Sequence, residues 1–266
     1  MYTELVEHFC KPPFRPFTDF DKKAIASATP IEIPFGNDRL RGYCWGTGKT
    51  ILLIHGWGSR ASHLALLGNT LAKSGFRVVA IDAPAHSSIN GHVKKEKSNM
   101  FEFSQAISAA VAAIGPVYAI VGHSLGAIAS VFVTAGYMRM AEYKVPVDKL
   151  VLMGMPASLE SVIAHYGREN GLDPLQVSDL ISGLETGFDF KVADYRVDLA
   201  FKNVNSDILL IHGTEDHAIS IDEAHSIKNT FPQVKLLTLE NVDHYNILIN
   251  RRMMTEVKGF LKEIEN

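Results

Sequence analysis

The segment Gly122-His123-Ser124-Leu125-Gly126 sets a serine between two glycines, each two positions away. It follows an apolar β-type run at 117–121 and precedes a helical stretch that begins near Leu125. A strand that turns sharply into a helix has no room for side chains at those two positions. The strained turn then exposes the serine Oγ at the carboxyl edge of a sheet. A serine hydroxyl is a weak nucleophile until a base takes its proton. In the chain order serine, acid, histidine, the acid is sought in His212-Gly213-Thr214-Glu215-Asp216, after the apolar run at 207–211. Asp216 is the preferred carboxylate and Glu215 its rival. The base must then come from His217, His225 or His244. His217 adjoins the acid too closely to lie between it and Ser124, and His225 falls within a helical stretch. His244, in Asn241-Val242-Asp243-His244-Tyr245, sits in the loop after the last strand, from which an imidazole can swing over the sheet edge.

This chemistry also needs donors for the oxyanion that forms at the attacked carbonyl. One backbone N–H is expected from Leu125, the residue after the serine. The other is expected from Trp57 in Ile54-His55-Gly56-Trp57-Gly58, the loop after the run at 50–54. Such donors lower a barrier by about 2.7–4 kcal/mol each. The other histidines show no metal-ligand spacing, so no metal is expected.

The elements that must hold these loops can be read from the apolar pattern. β-type runs fall at 31–35, 40–45, 50–54, 77–81, 117–121, 149–153, 207–211 and 233–237. Several are apolar throughout, as in ILLI at 51–54, VVAI at 78–81 and ILLI at 208–211, which suits strands covered on both faces. Between them lie helical stretches. Leu64, Leu67 and Leu71 share one face of a helix that stops at Gly75. Ser98 is expected to cap a helix carrying Phe101, Ile107, Val111 and Ile114. Another helix follows Ser124, Ser220 to Glu223 reads as a capping box, and a last helix runs from 246 to 263. Alternating strands and helices predict a doubly wound α/β sheet.

Two segments stand outside this rhythm. Residues 1–29 form an N-terminal arm in which Pro12, Pro13 and Pro16 prevent a continuous helix. Residues 156–206 form a helical insertion within a core of 30–155 and 207–266. With four basic side chains against eight acidic ones, the insertion reads as an acidic cap.

Composition bounds the rest. The 266 residues are 47% hydrophobic and 21% charged with a net charge of −3, which excludes a disordered chain and leaves no footprint for nucleic acid or anionic lipid. Cys10 and Cys44 cannot build a disulfide scaffold and fit a reducing compartment. The segment MYTELVEHFCKPPFRPF has no apolar signal region, so a cytoplasmic location is expected. From Phe103 to Met138 there is no Asp, Glu, Lys or Arg, a run long enough to raise a membrane span. Gly115-Pro116 and the 122–126 turn divide it into helix, strand and helix, so no membrane span is expected. Nothing in the sequence points to a particular oligomeric state.

Over residues 31–264 the sequence resembles the α/β-hydrolase superfamily, in particular single-domain bacterial-type serine hydrolases with a helical cap. HGWG at 55–58, GHSLG at 122–126, HGTED at 212–216 and DH at 243–244 carry the resemblance. Asp82-Ala83-Pro84-Ala85-His86-Ser87-Ser88 is similar to the D-x-P-x-H-G-x-S loop of such proteins, with Ser87 in place of glycine and Asp82 as a loop-structuring residue. Asp243 stands where many relatives have glycine, and His217 where proline often follows the acid. The resemblance implies an eight-stranded, mostly parallel sheet with a cap after the sixth strand. It implies a Ser124–His244–Asp216 triad acting through an acyl-enzyme, without a cofactor. The expected partner is a small-molecule carboxylic ester with a short to medium apolar acyl group, and Trp57, Met155, Phe188, Phe190, Phe201 and Tyr245 are candidate pocket walls. Thioester, amide or carbon–carbon bond hydrolysis uses the same triad, and a non-catalytic ligand-binding protein is the alternative of another class.

Overall fold

In a computed structural model of the chain, described over residues 4–86 and 95–263, the apolar runs pair into one open eight-stranded sheet. The strands are β1 (Thr29–Phe35), β2 (Asp38–Trp45), β3 (Thr50–Ile54), β4 (Arg77–Ile81), β5 (Ala119–His123), β6 (Lys149–Met153), β7 (Asp207–Gly213) and β8 (Lys235–Leu239), in the order β1-β2-β4-β3-β5-β6-β7-β8. The hairpin β1–β2 is antiparallel and joins β4 antiparallel; every other pairing is parallel. The expected eight strands therefore form an eight-stranded, mostly parallel sheet. β3, β5 and β6 are buried at every position, because helices cover both faces.

The helices are α1 (Glu4–Phe9), α2 (Asp19–Ala24), α3 (Ala65–Ala72), α4 (Met100–Ile114), α5 (Leu125–Ala135), α6 (Leu159–Glu169), α7 (Pro174–Phe188), α8 (Val197–Ala200), α9 (Ile221–Thr230) and α10 (Arg251–Lys262). Their apolar faces build two clusters, one on each side of the sheet. α5 is buried along its whole length. The uncharged run 103–138 is thus α4, β5 and α5, and burial explains its missing charge. No helix among the described residues is long and apolar enough to cross a membrane.

Several element ends differ from the sequence expectation. β5 runs to His123 because Gly122 and His123 stay paired with Leu152 and Met153 up to the turn. β7 likewise extends through His212 and Gly213, paired with Thr238 and Leu239. β8 starts two residues later than expected, at Lys235. Asn99 rather than Ser98 caps α4, its side chain accepting the Glu102 N–H. Ser220 caps α9 through the Asp222 N–H, whereas Glu223 leaves the cap and accepts the Ala157 N–H at 2.6 Å. The expected last helix divides into a 3-10 turn, Asn246–Ile249, and α10, which Asn250 caps.

The insertion 156–206 holds α6, α7 and α8 between β6 and β7. Leu159, Ile163, Leu180, Tyr195, Val197 and Ala200 are buried in the same cluster as α4 and α5, so it shares the core of the sheet. The arm is anchored as well. Val6 and Cys10 enter that cluster, and Asp21 and Arg60 are buried beside each other. Thr18 caps α2, and Asp21 completes the capping box by accepting the Thr18 N–H and also accepts the Ser62 hydroxyl at 2.5 Å. Arg60 donates to the carbonyls of Arg15 and Pro16, which holds the proline segment against the β3 loop.

Candidate active site

Ser124 stands at the turn from β5 to α5 with φ 52° and ψ −120°. A non-glycine residue held there stores about 1–3 kcal/mol of strain, which the surrounding fold must fix. Its N–H donates to the Met153 carbonyl at 2.9 Å. The flanking glycines are required by close approach. A Cβ on Gly122 would lie 2.6 Å from Ala127 Cα, and one on Gly126 2.4 Å from the His55 carbonyl oxygen. The turn is therefore wedged against the β3 loop that carries Trp57. Leu125 is the first residue of α5, where N–H groups lack an intrahelical acceptor. Among the described residues, neither the Leu125 nor the Trp57 N–H bonds to another backbone carbonyl.

Asp216 and His244 sit on the loops after β7 and β8. These loops are laced together: Thr214 N–H donates to the Leu239 carbonyl at 2.9 Å, Glu215 N–H to the Val242 carbonyl at 3.1 Å, and Asn241 N–H to Thr214 Oγ1 at 2.9 Å. His244 Nδ1 lies 2.7 Å from Asp216 Oδ2. Asp216 Oδ1 accepts the N–H groups of Ala218 and Ile219 at 3.0 and 2.8 Å. Burial opposes ionisation of Asp216, but hydrogen bonds from His212 and His244 outweigh it and hold the carboxyl well below the usual carboxylate range. An ionised carboxylate only accepts, so His244 Nδ1 carries the proton and Nε2 is the basic ring nitrogen of the neutral imidazole. His123, inside the turn, donates from Nε2 to the His244 carbonyl at 2.8 Å. Burial, with His244 beside it, pushes His123 down to about 3, so it is a neutral spacer between the two loops. Glu215 is half exposed beside an exposed His217, and His225 lies on the exposed side of α9. Asp243, unusual before the histidine, accepts the N–H groups of Tyr245 and Asn246 at 2.9 and 2.7 Å and so starts the 3-10 turn that follows.

The loop after β3 is tied to the loop after β4 by two buried histidines. His55 Nδ1 donates to the Gly56 carbonyl at 2.7 Å, and its Nε2 accepts the Ala83 N–H at 2.9 Å. His86 Nδ1 donates to the Pro84 carbonyl at 2.8 Å, and its Nε2 accepts the Gly58 N–H at 3.1 Å. Burial lowers both, His86 to about 4. Asp82 Oδ1 accepts the Ala61 N–H at 2.8 Å, the structuring contact expected of it; burial raises Asp82 to about 6. Ser87 and Ser88 lie outside the described residues.

Ser124, Leu125, Trp57, His244 and Tyr245 line one cavity of about 380 Å³. Trp57 and Tyr245 are the expected wall residues that line it. α6 supplies Leu159, Val162, His165 and Tyr166, and the arm supplies His8, Phe9, Lys11, Pro13 and Arg15. The arm meets α6 where His8 Nδ1 lies 2.5 Å from the Tyr166 hydroxyl and Phe9 stands edge-on to the Tyr166 ring at 5.0 Å. The proline run that breaks the arm's helix is visible in the sequence; the long-range contacts of His8 and Phe9 with α6 have no local signal. Other expected wall residues pack elsewhere. Met155 is fully buried in the core. Phe188 packs 6.4 Å from Phe190, Phe190 stands edge-on to Phe101 and Tyr195, and Phe201 packs on Phe231. These aromatic side chains pack into the core that the insertion shares with the sheet rather than lining the cavity. Among the described residues, no group of three His, Cys, Asp or Glu side chains could hold a metal ion.

Comparison with known proteins agrees with this architecture. An esterase from Pyrococcus furiosus superposes with a TM-score of 0.69 over 95% of this chain and 96% of that one, at 19% identity. A thioesterase domain from the curacin biosynthetic pathway superposes with a TM-score of 0.61 over 89% and 99% of the two chains, at 15% identity. At these identities the likeness is one of fold. A serine hydrolase-like protein from Danio rerio is 31% identical over 138 residues, which span 50% of this chain and 41% of that protein. The model of the alpha/beta hydrolase family matches residues 51–257, from β3 into α10. The chain belongs to the alpha/beta hydrolase family.

Proposed function

We propose that the protein is a serine hydrolase that cleaves a carboxylic ester with a short to medium apolar acyl group. The observation that carries this reading is Ser124 at a strained strand–helix turn, lining one cavity with a His244 whose Nδ1 is 2.7 Å from the ionised Asp216. Ser124 Oγ adds to the acyl carbonyl carbon as its proton passes to His244 Nε2, and Asp216 stabilises the imidazolium. The carbonyl oxygen, now an oxyanion, accepts the N–H groups of Leu125 and Trp57. The ester C–O bond breaks, the alcohol leaves with the proton from His244, and the acyl group stays on Ser124. Water repeats the sequence, releasing the acid and restoring the serine hydroxyl. A cavity of about 380 Å³ with apolar walls at Leu159, Val162 and Ile219 supports a small apolar acyl group. Nitrophenyl esters of increasing acyl length test the reading, alongside fluorophosphonate labelling. Turnover and labelling are expected in the wild type and lost in Ser124→Ala. Labelling that survives the substitution, or no turnover of any ester, rejects it.

A further inference from the structure

Next to the catalytic cavity runs a second, larger groove of about 710 Å³. Its floor and rim gather Phe20 from α2, Leu66 from α3, Tyr245, and Leu248 and Ile249 from the 3-10 turn after His244. Phe20, Leu66, Tyr245 and Ile249 are among the most exposed large apolar side chains of the fold, each at least half exposed. Scattered exposed apolar side chains need no explanation, but four converging on one depression mark a binding surface. Trp57, Ser59, Arg15 and Tyr245 line both this groove and the catalytic cavity, so the two adjoin across these side chains.

The direction of the chemistry decides what lies in the groove. In the reaction proposed above, on which this inference rests, His244 hands its proton to the leaving oxygen. That oxygen must therefore lie against the His244 imidazole. The chain runs from His244 directly into Tyr245, Leu248 and Ile249, the groove's own wall. That choice leaves the smaller cavity, walled by α6 and the arm, to the acyl group. We propose that the groove between α2, α3 and residues 245–249 is the leaving-group subsite, and that it selects esters of apolar alcohols several carbons long.

Two ester series separate the subsites: one acid with straight-chain alcohols from methyl to hexyl, and one alcohol with acyl groups of the same lengths. Along the alcohol series kcat/KM is expected to rise about two- to fourfold per methylene, the range for partial to full burial of each group. Leu66→Asp and Ile249→Asp, both at exposed positions, are expected to lower the hexyl-to-methyl ratio about tenfold. They should leave the acyl-length profile unchanged. A flat alcohol series with turnover that depends on Ser124, or a ratio unmoved by both substitutions, overturns the leaving-group subsite alone. Ester turnover that persists in Ser124→Ala, or its complete absence in the wild type, overturns the hydrolase reading and the subsite with it.

Discussion

His55 and His86 lie with ring centroids 5.1 Å apart, and each accepts a backbone N–H from the loop that carries the other. Each ring also donates to a carbonyl of its own loop. This reciprocal clip needs both imidazoles neutral, since a protonated ring would turn its accepting nitrogen into a donor facing a donor. The loop that carries Trp57 is thereby held by groups that ionise near neutral pH in an unfolded chain.

The clip predicts acid lability. In the unfolded chain these histidines and His123 take up protons near pH 6.5. In the folded protein His86 does so at about 4, His123 at about 3, and His55 well below its ordinary value. Between these limits the unfolded state binds more protons, so stability falls as pH drops from about 6.5 toward 4. Each histidine contributes a slope of up to about 1.4 kcal/mol per pH unit. Asp82, raised to about 6, has the opposite sign. Its contribution is present below 3.8 and lost as pH rises through 6. Three groups against one leave a net loss on acidification, measurable by denaturant unfolding from pH 7.5 to 4.5. In Asp82→Asn the opposing contribution disappears and the loss between pH 6 and 4 steepens by up to one proton.

The acid is predicted to be Asp216 and not its neighbour. Asp216→Asn removes the charge that orients His244, and ester kcat/KM is expected to fall by about 10³–10⁴. Glu215→Gln changes a half-exposed side chain, and kcat/KM is expected to stay within about twofold of the wild type. Equal losses in the two variants would show that the carboxylate is assigned to the wrong residue.

Two glycine substitutions should have opposite effects. Gly126→Ala drives a methyl to 2.4 Å from the His55 carbonyl oxygen, so the turn or the β3 loop must move. Stability is expected to fall by about 3 kcal/mol, near the upper range for overpacking. Gly259→Ala, on the exposed side of α10 with nothing within 4 Å, is expected to stabilise by about 0.5–1 kcal/mol. Urea midpoints compare both with the wild type.

The arm's anchor can be tested at Arg60. Arg60→Met leaves the Arg15 and Pro16 carbonyls without their donor and the buried Asp21 without its cation at 3.8 Å. A loss of about 3 kcal/mol is expected, in the range for breaking one side of a buried ion pair. Limited proteolysis between residues 11 and 18 should accelerate. Arg60→Lys should recover less than half of the loss, since one ammonium cannot reproduce the forked geometry.

The sequence disclosed what short-range pattern encodes. Continuous apolar runs such as ILLI at 51–54 announced strands buried on both faces, and glycines two residues either side of Ser124 announced the turn, because both constraints act within a few residues. Strand ends at the site differ from the sequence expectation for a physical reason. Gly122, His123, His212 and Gly213 look like turn residues, yet they remain paired with neighbouring strands until the chain leaves the sheet. The cavity walls were least legible. Phe188, Phe190 and Phe201 looked like pocket residues by type, but aromatic side chains fill cores as readily as they line cavities. His8 and Tyr166 reach the site through contacts between the arm and the insertion, more than a hundred residues apart, and no local pattern records such a meeting.

The lacing of the 213–216 and 239–242 segments gives Asp216 and His244 a common frame of reference. Drift of the β7–β8 edge would carry Asp216 and His244 as one body and leave their 2.7 Å contact intact. What such drift would alter is their alignment with Ser124, which rides on β5 and α5. There His123 reaches from the end of β5 to the backbone carbonyl of His244. The continuous β5–β6–β7 ladder carries both parts of the site, and one neutral imidazole adds a direct strut between them above the sheet edge.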